Sequence, residues 1–283
     1  LSSQLGGSMG RYRIMIIEDA DRMAERSSNV LLKALEEPPA GTVWILCAPS
    51  EADMLPTIRS RVRRITLKTP AVEEVAQLLV ERDSIDYALA LVVAAEAQSH
   101  IGMARRLATS ADARGRRKDT LVAALAIDNV STAIFTAERW IELARRDADA
   151  LTAERDSAER EELLRVLGVE DTSKLPPYAR ADVKALEETQ KRRATRSLRD
   201  GLDRILVDLL SLYRDILMFQ LEAEVPLVNE SLKPQLVSIA QRTSAQQTLE
   251  KLNQIELART RIAANVKDLI VLEALAVNLR TKP

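Results

Sequence analysis

Two short apolar runs, Ile14 to Ile17 and Val43 to Cys47, constrain this chain more than any other feature. Both are rich in β-branched or aromatic residues, both are bounded by charge or turn chemistry, and one segment with helical spacing, Arg22 to Glu37, lies between them. Val30, Leu31, Ala34 and Leu35 form its apolar stripe, Ser27 or Ser28 is its expected cap, and Pro38-Pro39 stops it. Strands joined through one helix read as a βαβ unit with buried parallel strands, because a parallel connection needs a crossover. Each strand stops where ligands bind in open α/β sheets, beyond its carboxyl end. The first runs into Glu18-Asp19 and the second into Ala48-Pro49-Ser50.

Downstream, a short helix is expected over Glu51 to Leu55 and a third strand over Arg63 to Leu67. Thr69-Pro70 then reads as an N-cap with proline at the first helical position. Three short helices follow, through Val72 to Arg82, Asp86 to Ala97 and Ile101 to Ala108. The basic run Arg114-Gly115-Arg116-Arg117-Lys118 reads as a solvated linker and boundary. Beyond it the pattern is wholly helical: Thr120 to Ile127, Ser131 to Ala150, Ser157 to Leu167 ended by Gly168, Tyr178 to about Glu222, Lys233 to Arg242, and Ser244 to Leu279 with a break near Asn265. The apolar stripe from Leu202 to Leu217 marks where the longest of these packs.

The balance of 41 Lys and Arg against 42 Asp and Glu leaves no global basic field to recruit nucleic acid. The mixed run Lys191 to Arg199 is flanked by acids and carries no aromatic residue to stack on bases, so a solvated helix face is expected there too. Cys47 is the single cysteine, which excludes an internal disulfide or a cysteine-based zinc site, fits a reducing cytoplasm, and is expected to pack in its strand. No apolar run is long enough to span a bilayer, and no membrane partner is expected. Residues 1–9 read as linker.

An apolar strand ending in two carboxylates has the form of a Walker B motif, where one acid helps hold Mg²⁺ and the next orients the attacking water. Acids in that place also simply open a solvated loop. The stretch after them is more specific. Asn29-Val30-Leu31-Leu32-Lys33-Ala34-Leu35-Glu36-Glu37-Pro38-Pro39 resembles the NxLLKxLEEPP signature of clamp-loader subunits of the AAA+ superfamily, and Thr57-Ile58-Arg59-Ser60-Arg61-Val62 stands where their SRC motif is expected. The resemblance implies a chain that is mainly α with an N-terminal α/β part. Residues 10–69 would be the C-terminal half of an AAA+ domain with a partial parallel sheet, 70–115 a three-helix lid, and 116–283 an all-α helical collar. The front half of the AAA+ domain is expected to be missing.

Within this family the sequence resembles the non-hydrolysing delta-prime branch of the bacterial DNA polymerase III clamp loader. The acid pair is Glu18-Asp19 in place of the usual Asp-Glu, which shortens the group that would polarise water. Cys47-Ala48-Pro49 lacks the hydroxyl that ATPase subunits place at sensor 1, and no phosphate loop of the G-x-x-x-x-G-K-[ST] type is present. Ser60 and Arg61, by contrast, are intact. The resemblance implies that Arg61 is an arginine finger acting in trans on ATP-Mg held by a neighbouring gamma/tau subunit, a role that suits a permanently charged, planar guanidinium. It further implies no cofactor of the chain's own, with Glu18, Asp19 and Arg105 as vestigial Walker B and sensor 2 positions. The implied partners are the gamma/tau and delta subunits, the sliding clamp, and primed DNA reached through the complex.

Other readings stay open: a gamma/tau-type ATPase, a purely structural collar scaffold, Arg61 as a surface arginine, and Arg105 as a salt-bridge partner. His100, the only histidine, reads as a capping or surface residue.

Overall fold

The computed structural model describes residues 12–18, 20–23, 25–48, 50, 52, 54–168 and 176–280. The chain divides into two units, Leu1–Lys68 and Thr69–Pro283. Each has its own core.

In the first unit, β1 (Arg13–Ile17) and β2 (Thr42–Leu46) pair in parallel, with Ile14 opposite Val43 and Ile16 opposite Ile45. The crossover is α1 (Glu25–Glu36). Ser27 and Ser28 lie inside this helix and therefore do not cap it. Leu31 of α1 meets Ala20, Met54 and Ile58 in a small core, flanked by Ile17, Trp44 and Leu46 from the sheet. The expected burial of both sheet faces is corrected. Side chains alternate across a strand, and Ile14, Ile16, Val43 and Ile45 stand 59%, 62%, 42% and 43% exposed. Among the described residues, one sheet face is covered and the other is bare. Cys47 falls just past β2 and is exposed, so it does not pack as expected.

The helix expected over Glu51 to Leu55 lies partly outside the described residues. The observed helix is α2 (Pro56–Arg59), with proline in its first turn. No third strand forms over Arg63 to Leu67 among the described residues: Ile65 and Leu67 are 78% and 88% exposed, and no ladder pairs them. Strand propensity expresses itself only against a partner strand.

The second unit opens with α3 (Val72–Asp83), α4 (Tyr87–Glu96) and α5 (Ile101–Thr109). Val75, Leu79, Ala90, Val93, Ala104 and Leu107 close their shared core. Ala71, not Thr69, is the N-cap of α3, and its N–H donates to the Glu74 carboxylate. Asp86 caps α4, and the His100 Nδ1 caps α5 by accepting the Met103 N–H at 3.1 Å.

The basic run is not a linker. It lies inside α6 (Ala111–Leu125), which Ser110 caps, and Arg117 there is only 8% exposed. Next come α7 (Val130–Val166), α8 (Pro177–Gln220), α9 (Lys233–Ala240), α10 (Ala245–Ala263) and α11 (Asp268–Leu279). Where two helices were expected, α7 is one, since Leu151 to Asp156 contains no glycine or proline to break it. Asn265, at φ 62°, turns the chain between α10 and α11. The core stripe of α8, including Leu202, Leu206, Leu209 and Ile216, packs with Trp140 of α7 and Leu272 of α11. The helices α7 and α8 approach so closely that a Cβ on Gly201 would lie 3.2 Å from the Ala144 carbonyl oxygen.

Candidate functional site

The short helix α2 is held by Ile58, which is 1% exposed and packs into the same core as Leu31 of α1. That anchoring sets Ser60 and Arg61 at the end of α2, beside the last turn of α1. The Arg61 guanidinium is held on three sides. Its Nε donates to Glu36 Oε1 at 2.6 Å, and its Nη1 donates to the Thr57 carbonyl at 2.8 Å and to Ser60 Oγ at 3.1 Å. Nη2 lies 2.5 Å from the same Glu36 oxygen. Ser60 Oγ in turn donates to the Thr57 carbonyl. The two motif stretches thus meet through their charged side chains, with Glu36 belonging to the first and Arg61 to the second. Both side chains remain well exposed, 36% for Arg61 and 49% for Glu36. Such a pair orients the guanidinium and contributes about 1 kcal/mol or less.

The carboxyl ends of the strands also lie side by side. Hydrogen bonding continues past the sheet, with the Cys47 N–H donating to Ile17 and the Ala20 N–H to Cys47. Glu18 bends away between these bonds and is exposed. Asp19 and Pro49 lie outside the described residues. Arg105 belongs to the second unit, where its Nε donates to Asp83 Oδ1 at 2.8 Å. Asp83 is the less exposed partner of that ion pair, with its side chain at 9% against 48% for Arg105.

One polar network lies outside every motif of the sequence. Arg117 of α6 donates to Asp208 Oδ1 at 2.9 Å and to Asn229 Oδ1 at 2.6 Å, and it lies 3.5 Å from Glu96. Asp215, fully buried, accepts from the backbone N–H groups of Val228 and Asn229 and from Asn229 Nδ2. Burial raises the pKa values of Asp208 and Glu96, against the pull of Arg117. A signal existed: Asp208, Ser211 and Asp215 recur at helical spacing, in a polar strip that flanks the apolar stripe. Polar residues on a buried helix face need partners.

The N-terminal unit is thus a two-stranded parallel sheet with a crossover helix, in which the LEEPP and SRV stretches meet through Glu36 and Arg61. Residues 2–71 match the family described as "DNA polymerase III, delta subunit". The DNA polymerase III subunit delta' of Haemophilus influenzae is 34% identical over 74 residues, which is 26% of this chain and 23% of that protein. The delta' subunit of Pseudomonas aeruginosa is 40% identical over 60 residues, 21% of this chain and 17% of its own. The subunit tau of Salmonella typhimurium is 33% identical over 76 residues, 27% of this chain and 12% of its own. The N-terminal region is therefore similar to DNA polymerase III delta' and tau subunits alike, components of the polymerase III clamp loader. The matched stretch spans less than a quarter of the length of each of these relatives.

Proposed function

We propose that this chain acts as a delta-prime-type, non-hydrolysing subunit of a replicative clamp loader, and that Arg61 is its working residue. The observation that carries the reading is the seat of Arg61: a guanidinium at the surface, oriented by Glu36, Ser60 and the Thr57 carbonyl. A neighbouring gamma/tau-type subunit would hold ATP-Mg, and Arg61 would stabilise charge building on the γ-phosphate there. On this reading α3 to α5 form the lid and α6 to α11 the collar, through which the chain joins gamma/tau and delta subunits in the cytoplasm to open a sliding clamp and load it on primed DNA. Glu18-Asp19 and Cys47-Ala48-Pro49 support the absence of turnover, since the acid pair is reversed and the sensor 1 hydroxyl is missing. Arg105 keeps its pairing with Asp83 in place of a nucleotide contact.

The test is Arg61→Ala in the reconstituted complex. Assembly stays normal and DNA-stimulated ATPase falls by about 10³-fold or more, the scale of arginine fingers. An unchanged rate overturns the assignment. A second reading, a gamma/tau-type ATPase, draws on the similarity to tau. It predicts ATP hydrolysis by the isolated natural subunit, which the first reading excludes.

A further inference from the structure

Between Arg242, the helix α10 and the end of α11 lies a cavity of about 300 Å³. Its charges are unequal: Arg242, Lys251 and Arg280 line it against one acid, Glu250. Lys251 is only 9% exposed and lies on the inward face of α10 with Thr248, Ile255 and Ala258. Its Nζ stands 5.4 Å from the centre of the Tyr213 ring of α8, within cation–π range. Among the described residues it has no hydrogen bond and no ion pair. Lysine is seldom buried this far without a counter-charge. Burial pushes its pKa down to about 8.

The flanking arginines are fixed but not used up. Arg242 donates to the Ser238 carbonyl and hydroxyl, and Arg280 donates to the Val277 carbonyl. A guanidinium has five N–H groups, so both retain donors for a ligand. Gln247 also lines the cavity; its Oε1 accepts the Ser244 N–H, and its amide NH₂ remains a donor.

We propose that this cavity binds a phosphate monoester, with Lys251 as the central contact and Arg242 and Arg280 as flanking donors. Three cations against one acid leave two positive charges, which match a phosphate monoester's charge of about −1.5 to −2. A carboxylate would neutralise only half of that. The cavity volume sits at the small end of ligand pockets, enough for a phosphate and a compact organic group against Val277. Lys251 is largely buried and held over the Tyr213 ring, so the anion meets a preorganised cation. The cavity lies wholly in the second unit and owes nothing to Arg61.

Isothermal titration of the full chain with O-phosphoserine and with inorganic phosphate, against sodium chloride at matched ionic strength, tests this. Saturable one-to-one binding of O-phosphoserine is expected. Lys251→Met, which keeps an unbranched stem over Tyr213 and drops the charge, weakens it at least tenfold while the circular dichroism spectrum is retained. The second readout is the titration of Lys251 by lysine-labelled NMR. The free ammonium titrates near 8, with Glu250 favouring its charged form and Arg242 and Arg280 opposing it. A bound dianion moves that titration upward. An absence of saturable heat in the wild type, equal affinity in Lys251→Met, or an unmoved Lys251 titration each overturns the site.

Discussion

Glu36 closes α1 and Arg61 follows α2, twenty-five positions along the chain, yet the Arg61 Nε lies 2.6 Å from the Glu36 carboxylate. A half-exposed ion pair of this kind holds a side chain in place without holding a fold together. Glu36→Gln should therefore lower the melting temperature by no more than about 2–4 °C, the shift that ~1 kcal/mol produces in a chain of this size. In the reconstituted complex the same variant should cut DNA-stimulated ATPase several-fold while leaving assembly intact, a milder loss than Arg61→Ala causes. A drop in assembly instead would make the contact structural.

Arg117 is the opposite case. It is buried, and Asp208, Asn229 and Glu96 all depend on it. Arg117→Met takes the hydrogen-bonded cation from Asp208 and the nearer one from Glu96, with only the field of Arg204 and Arg114 remaining, and breaking a buried pair by removing one partner costs about 3–5 kcal/mol. Urea unfolding of the variant, followed by circular dichroism, should show the midpoint falling sharply with the slope unchanged.

Two helical glycines should respond in opposite directions to the same change. A Cβ at Gly115 meets nothing within 4 Å, so Gly115→Ala should stabilise by about 0.5–1 kcal/mol through helix propensity. At Gly201 the Cβ would press on the Ala144 backbone at 3.2 Å. Gly201→Ala should therefore destabilise, because α7 must shift away. Thermal melts of the two single variants decide both signs.

Glu159 of α7 is gripped by Arg193 of α8 and by Arg155 one turn earlier on its own helix. The hydrogen bond from Arg193, then that from Arg155, pulls its pKa down from 4.5 to about 2. A depressed carboxylate contributes stability that is present above its unfolded value and lost as pH falls from about 4.5 towards about 2. Carboxyl NMR should place the Glu159 titration near 2, and Arg193→Met should move it up and flatten the acid limb of the stability curve.

Much of this fold was legible because local chemistry and tertiary packing agree. The apolar runs of β1 and β2, the Pro38-Pro39 stop, the stripe from Leu202 to Leu217 and the turn at Asn265 each follow a periodicity or a breaker that the surroundings do not oppose. Structure that depends on distant partners was not legible. Ile65 and Leu67 have strand-like side chains but no neighbouring strand to pair with. Arg116 and Arg117 look like solvated charges until Asp147, Asp208 and Asn229 arrive from residues 31 to 112 positions away. At the candidate site, Ser60 and Arg61 could be singled out from their motif, whereas the choice of Glu36 as their tether required the packing of Ile58 against Leu31.

The unbroken course of α7 has a mechanical consequence. Thirty-seven residues in one helix, at a rise of 1.5 Å each, make a rod about 55 Å long. A tilt of about 10° where Trp140 is embedded would carry the far end, near Val166, through roughly 7 Å, since about 40 Å of helix lies beyond that point. Arg160 and Arg193 tie the rod to its antiparallel neighbour α8 along the outer stretch, so the pair would swing together. Small rearrangements in the core of the second unit would thus reappear, amplified, at the tips of the two long helices.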